Sequence, residues 1–110
     1  MRRACHHIIA GNLLAMENFT EAIPEFEKAV EAEKYWEGYY GIGQCLDRMK
    51  EIEQALPYYA AAEIMGGENA HKAKDRLELL YRSLHNDTLI GIDKVYNKAK
   101  QLLEDPKVSP

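Results

Sequence analysis

Three metal-ligand residue types stand side by side near the start of the chain, as Cys5-His6-His7. On a helix, neighbouring side chains diverge by about 100°, so the three cannot converge on one ion. A helical ligand pair needs i and i+4, and Ala10-Gly11 supply nothing there; His71 and His85 lie far along the chain. No metal site is expected. Cys45 follows Gln44 in a glycine-rich stretch. A nucleophilic thiol needs a base and a positive surrounding, and none is legible nearby, so Cys45 reads as a small buried side chain. Gly41-Ile42-Gly43 runs straight into Gln44-Cys45-Leu46 without a preceding strand, which removes a dinucleotide-binding loop. No Ser-His-Asp spacing, phosphate-cradling glycine loop or HExxH string occurs. The expectation is no catalytic residue and no cofactor: not an enzyme.

The chain that would position such residues has 110 residues, enough for one domain or a piece of a larger protein. Hydrophobic residues make up 46% and charged residues 29%, a globular balance. A net charge of -4 gives no positive footprint for nucleic acid or an anionic membrane. No stretch approaches the roughly 18 apolar residues of a membrane span. The apolar run after Met1-Arg2-Arg3 is broken by Gly11-Asn12, so no signal peptide is expected. Cys5 and Cys45 both fall in expected helices and read as reduced thiols of a cytoplasmic protein.

Periodicity organises the chain. Ala22-Ile23-Pro24-Glu25-Phe26-Glu27-Lys28-Ala29-Val30 returns as Ala55-Leu56-Pro57-Tyr58-Tyr59-Ala60-Ala61-Ala62-Glu63, and 55 minus 22 gives a period of 33. Ala22, Phe26, Ala29 and Val30 share one helical face. Each proline is expected in the first turn of its helix, where no hydrogen bond is lost, with Thr20 as an N-cap. Helices are expected over about 3–15, 20–33, 36–49, 53–65, 69–84 and 88–103. Gly66-Gly67 serves as a stop and Asp87 caps the last helix. Phe26-Glu27-Lys28-Ala29 is echoed at Tyr96-Asn97-Lys98-Ala99.

Pairs of helices of about 14 residues repeating near 34 resemble the tetratricopeptide repeat (TPR) family. Ile9, Ala10, Leu13, Phe19, Ala22, Phe26 and Ala29 carry the match in the first repeat. Tyr39, Ile42, Gly43, Leu46, Ile52, Ala55, Tyr59 and Ala62 carry it in the second. The resemblance implies an all-α, right-handed solenoid of three antiparallel helix hairpins. One domain would span 3–104: repeats over about 3–35 and 36–68, a degenerate capping repeat over 69–104, and a loose tail at 105–110. The small residues Ala10 and Gly43 would each face the alanine twelve places on. His6 stands where the family often has an aromatic, and Lys34 and Gly67 where it has a proline.

The family's concave groove binds peptides or helices of other proteins, so the resemblance implies a protein-binding scaffold. Helical spacing assigns the groove to His7, Leu14, Tyr40, Gln44, Asp47, Lys74, Glu78 and Arg82. The family's carboxylate clamp for chaperone tails needs convergent cations and amides. Its positions here hold His7, Gly11, Gln44, Lys74 and Glu78, and only Lys74 fits. A polar last helix (Asp93, Lys94, Asn97, Lys98, Lys100) suits a cap, whereas Ile8-Ile9 leaves an apolar N-terminal edge. The alternatives are therefore a self-assembling module joined at that edge, or a regulatory piece of a larger enzyme or secretion-related protein.

Overall fold

The computed structural model describes residues 3–104; the expected tail at 105–110 and residues 1 and 2 lie outside the described residues. Six α-helices follow one another: α1 (Arg3–Ala15), α2 (Phe19–Ala32), α3 (Trp36–Arg48), α4 (Ile52–Met65), α5 (Ala70–Leu84) and α6 (Asp93–Glu104). A 3-10 turn, Gly67–Asn69, precedes α5. No strand occurs among the described residues. The fold is all-α, as expected.

The repeat is written into the turns as well as the helices. Glu17 and Lys50 are 33 residues apart, and each closes a helix hairpin with a left-handed backbone, φ 60° and 67°. The N–H groups of Glu17 and Asn18 donate to the carbonyls of Leu14 and Leu13, and those of Lys50 and Glu51 to Asp47 and Leu46. This pair of reversed bonds satisfies the orphan carbonyls at a helix end. Asn18 and Glu51 then open the next helix with nearly the same angles, φ -95° and -92°.

Two local expectations are corrected here. Thr20 lies inside α2, and Asn18 holds the N-cap position without a side-chain hydrogen bond. Pro24 and Pro57 therefore sit at the sixth helical residue, past the first turn. Each removes a bond to the carbonyl four residues back, on Thr20 or Glu53. Both of those residues are exposed, so water can take the bond's place.

α1 packs on α2, α2 on α3, α3 on α4, and α4 on both α5 and α6. α4 is the centre of the molecule: Ala55, Ala60, Ala61 and Ala62 have no exposed surface. A helix with neighbours on several sides cannot be amphipathic, and its small side chains let those neighbours approach. At the α2–α3 contact the bulk lies on the other side, for a Cβ on Gly41 would stand 2.5 Å from the Phe26 ring. Gly43 lies closest to the Tyr59 ring, where a Cβ would meet it at 3.1 Å.

The chain departs most from expectation after α5. α6 begins at Asp93, five residues later than the apolar stripe suggests, and packs on α4; α5 and α6 make no comparable contact with each other. Asn86 and Asp87 both take left-handed angles, φ 53° and 63°, which suit the end of α5 and not the expected N-cap of a following helix. Tyr81 Oη donates to the Ile90 carbonyl and pins the connection. Leu89 and Ile92 reach the core from outside any helix, so their spacing mimics a helix that is absent.

Candidate interaction site

α1, α3 and α5 each lend a side chain to one small cavity of about 210 Å³. Leu14 comes from α1; Tyr40, Gln44, Asp47 and Arg48 come from α3; Arg76 comes from α5, and Tyr59 of α4 completes the lining. Tyr40, Gln44, Asp47 and Arg48 share a wall because they recur three or four residues apart on α3. Tyr40 is held between Trp36 and Tyr59, with ring centroids 5.7 and 5.5 Å away.

Asp47 is the electrostatic anchor. It is buried, and one oxygen, Oδ2, accepts from Tyr59 Oη at 2.9 Å and from Arg76 Nε at 2.7 Å. Burial, then the Asp47 charge, pushes the Tyr59 hydroxyl far above its usual range, so it remains a donor. The hydrogen bond to Asp47 raises Arg76 further and fixes its charge. At the rim, Arg48 Nη2 pairs with Glu17 at 2.8 Å, and its guanidinium lies 5.1 Å from the Phe19 ring centre. The arrangement offers an apolar patch, an aromatic face, a two-way amide and part-exposed guanidinium edges. These groups suit a polypeptide surface; no nucleophile–base pair is present in the cavity.

Of the residues expected at the groove, Leu14, Tyr40, Gln44 and Asp47 are brought together here. Asp47 acts through its partners rather than as an exposed contact. His7 is half-buried outside the cavity, with Nδ1 2.8 Å from the Tyr35 hydroxyl and its ring edge-on to Phe26. Lys74 and Arg82 are exposed on α5 and do not line the cavity. Glu78 adds to the negative field at Tyr96, whose hydroxyl donates to Glu63 of α4 at 2.6 Å. Residues 74, 78 and 82 therefore follow a different side of α5 from Arg76. Arg76 escaped the sequence reading, and Tyr59 was read there only as a packing residue of the repeat. Their signal is a coupled change at the period: Asp47 and Tyr59 occupy the places of Leu14 and Phe26.

The chemistry-bearing residues at the N-terminus diverge as expected. Cys5 is exposed, and His6 pairs with Glu25 at 2.9 Å. The hydrogen bond from His6, helped by Lys28, holds the Glu25 carboxyl below its usual value. Among the described residues no three His, Cys, Asp or Glu groups could hold a metal ion. Burial pushes the Cys45 thiol up to about 11, which leaves it protonated and unreactive at neutral pH. No helix among the described residues is long and apolar enough to cross a membrane. No family model, curated protein or solved structure matches the chain.

Proposed function

We propose that this chain is a TPR-like helical-repeat scaffold that holds an extended segment or a helix of a partner protein on one face, in the cytoplasm. The observation that carries the reading is the cavity to which α1, α3 and α5 all contribute. In a stack of two-helix units, the first helix of each unit lines the concave side. Support for the stack itself comes from the matching turns at Glu17 and Lys50 and the matching helix starts 33 residues apart. Binding would proceed by shape and side-chain complementarity, with Tyr40 and Gln44 as principal contacts and Arg48 and Arg76 at the rim. No reaction is proposed.

Selection of peptides from a display library against the intact protein tests this reading. Selected peptides should lose affinity at least tenfold on Tyr40→Ala combined with Gln44→Leu, and little on Lys74→Glu. Equal binding to parent and the double variant would overturn the assignment of the face.

A further inference from the structure

Among the side chains the structure describes, α1 exposes no charge. Cys5, Ile8, Asn12 and Ala15 are all exposed, and Ile8 keeps 62% of its surface in water. Met16, just beyond the helix, keeps 70%. Every other helix shows water at least one charged side chain, such as Lys28 on α2 or Lys98 on α6. An uncharged face led by exposed Ile8 and Met16 marks an interaction surface.

The internal repeat shows what the covering element must look like. Adding 33 carries Cys5 to Gly38 and Ile8 to Gly41, and on α3 that face is buried against α2. There the glycines admit Val30 and the Phe26 ring; a Cβ on either would stand 2.4 or 2.5 Å from them. On α1 those two places are already filled by a thiol and an isoleucine. A second helix like α2, with its Phe and Val stripe, is therefore too bulky to sit there. The face requires a helix with small or slender side chains opposite Ile8.

We propose that a second copy of α1 supplies that helix, antiparallel, about a two-fold axis near residue 10. Cys5, Ile8, Asn12 and Ala15 are spaced three, four and three residues apart, the a/d pattern of a two-helix seam. Antiparallel pairing sets Ile8 against Asn12 of the other copy and Cys5 against its Ala15, so the bulky Ile8 never meets its own copy. The same patch on both copies closes the assembly at two, and the opposed helix dipoles favour the antiparallel sense. The polar outer side of α6 offers no competing head-to-tail contact. This inference does not depend on the cavity, which opens beside Leu14. A 13-residue helix is about 20 Å long, so the contact is smaller than the roughly 1,200 Å² at which standard specific interfaces begin. The dimer is accordingly weak and concentration-dependent.

Sedimentation of the full chain from roughly micromolar to millimolar concentration provides the test. A monomer–dimer equilibrium is expected, and Ile8→Glu should remove it while leaving helical content and melting unchanged. Under oxidation, Ala15→Cys should give a covalent dimer through Cys5 of one copy and position 15 of the other, and the parent should give none. Three results would overturn the proposal: a parent that stays monomeric throughout, a dimer that survives Ile8→Glu, or a parent cross-linked through Cys5, which requires parallel helices.

Discussion

Replacing Gly41 with alanine tests the α2–α3 contact directly. The new methyl would stand 2.5, 2.7 and 2.8 Å from three carbons of the Phe26 ring. Carbon atoms prefer roughly 3.5–4.0 Å, so the ring must retreat by about 1 Å. Phe26 is 2% exposed, and the His7 ring lies edge-on to it at 6.0 Å, so it has little room. Overpacking of this kind costs roughly 1–3 kcal/mol. Better helix propensity returns about 1 kcal/mol. With so little room the overpacking cost lies in the upper part of its range, about 2–3 kcal/mol, so the net loss is about 1–2 kcal/mol, and each kcal/mol lowers Tm by roughly 4–8 °C for a chain of this size. Gly11→Ala is the internal control, since nothing lies within 4 Å of its new Cβ. It should gain about 0.5–1 kcal/mol from propensity alone. Phe26→Leu should cost less in the Gly41→Ala background than in the parent, because the two changes share one space. Thermal and urea melts of the four proteins and the double variant decide the matter. If Gly41→Ala melts at or above the parent while Gly11→Ala shows its gain, the packing argument is wrong.

Other outcomes follow from other contacts. Asp47→Ala leaves the buried Tyr59 hydroxyl without its acceptor and should destabilise the fold by about 1–3 kcal/mol in chemical denaturation. Lys50→Gly relieves a left-handed backbone at φ 67° and should stabilise by up to about 1 kcal/mol, read as a higher urea midpoint. A thiol reagent should titrate Cys5 rapidly in the native protein and Cys45 only after unfolding. Cys45 is held at about 11 against an ordinary 9.0, and the Tyr59 hydroxyl is raised as well. Both groups are kept neutral by the fold, so the stability they contribute is complete below about pH 9 and falls as pH climbs from 9 to 11; Cys45→Ala should flatten part of that fall.

The first four helices were legible because their signals agree. Phe26 and Tyr59 recur with alanines at fixed offsets, and each hairpin turn spans only a few residues. The region 85–92 was not, since Leu89 and Ile92 carry a helical spacing that left-handed angles at Asn86 and Asp87 override. Proline placement failed by one turn, because Asn18 and Glu51 open their helices without any side-chain cap to advertise the start. At the candidate site the α3 wall was readable from helical periodicity alone. Arg76 was not, because the side of α5 that meets Asp47 depends on how α5 sits on α4, and that is settled by packing rather than by pattern. The exposed Ile8 was foreseeable from two adjacent isoleucines, only one side of which a single partner helix can cover.

The run Ala60-Ala61-Ala62 lies where α4 has neighbours in α3, α5 and α6 at once. One added carbon anywhere in those three positions pushes on a neighbouring helix, and relief in one direction tightens another. Mutational tolerance should therefore be lowest at the plainest stretch of the sequence. The distances from α4 to the helices around it are set by methyl groups that never reach the surface.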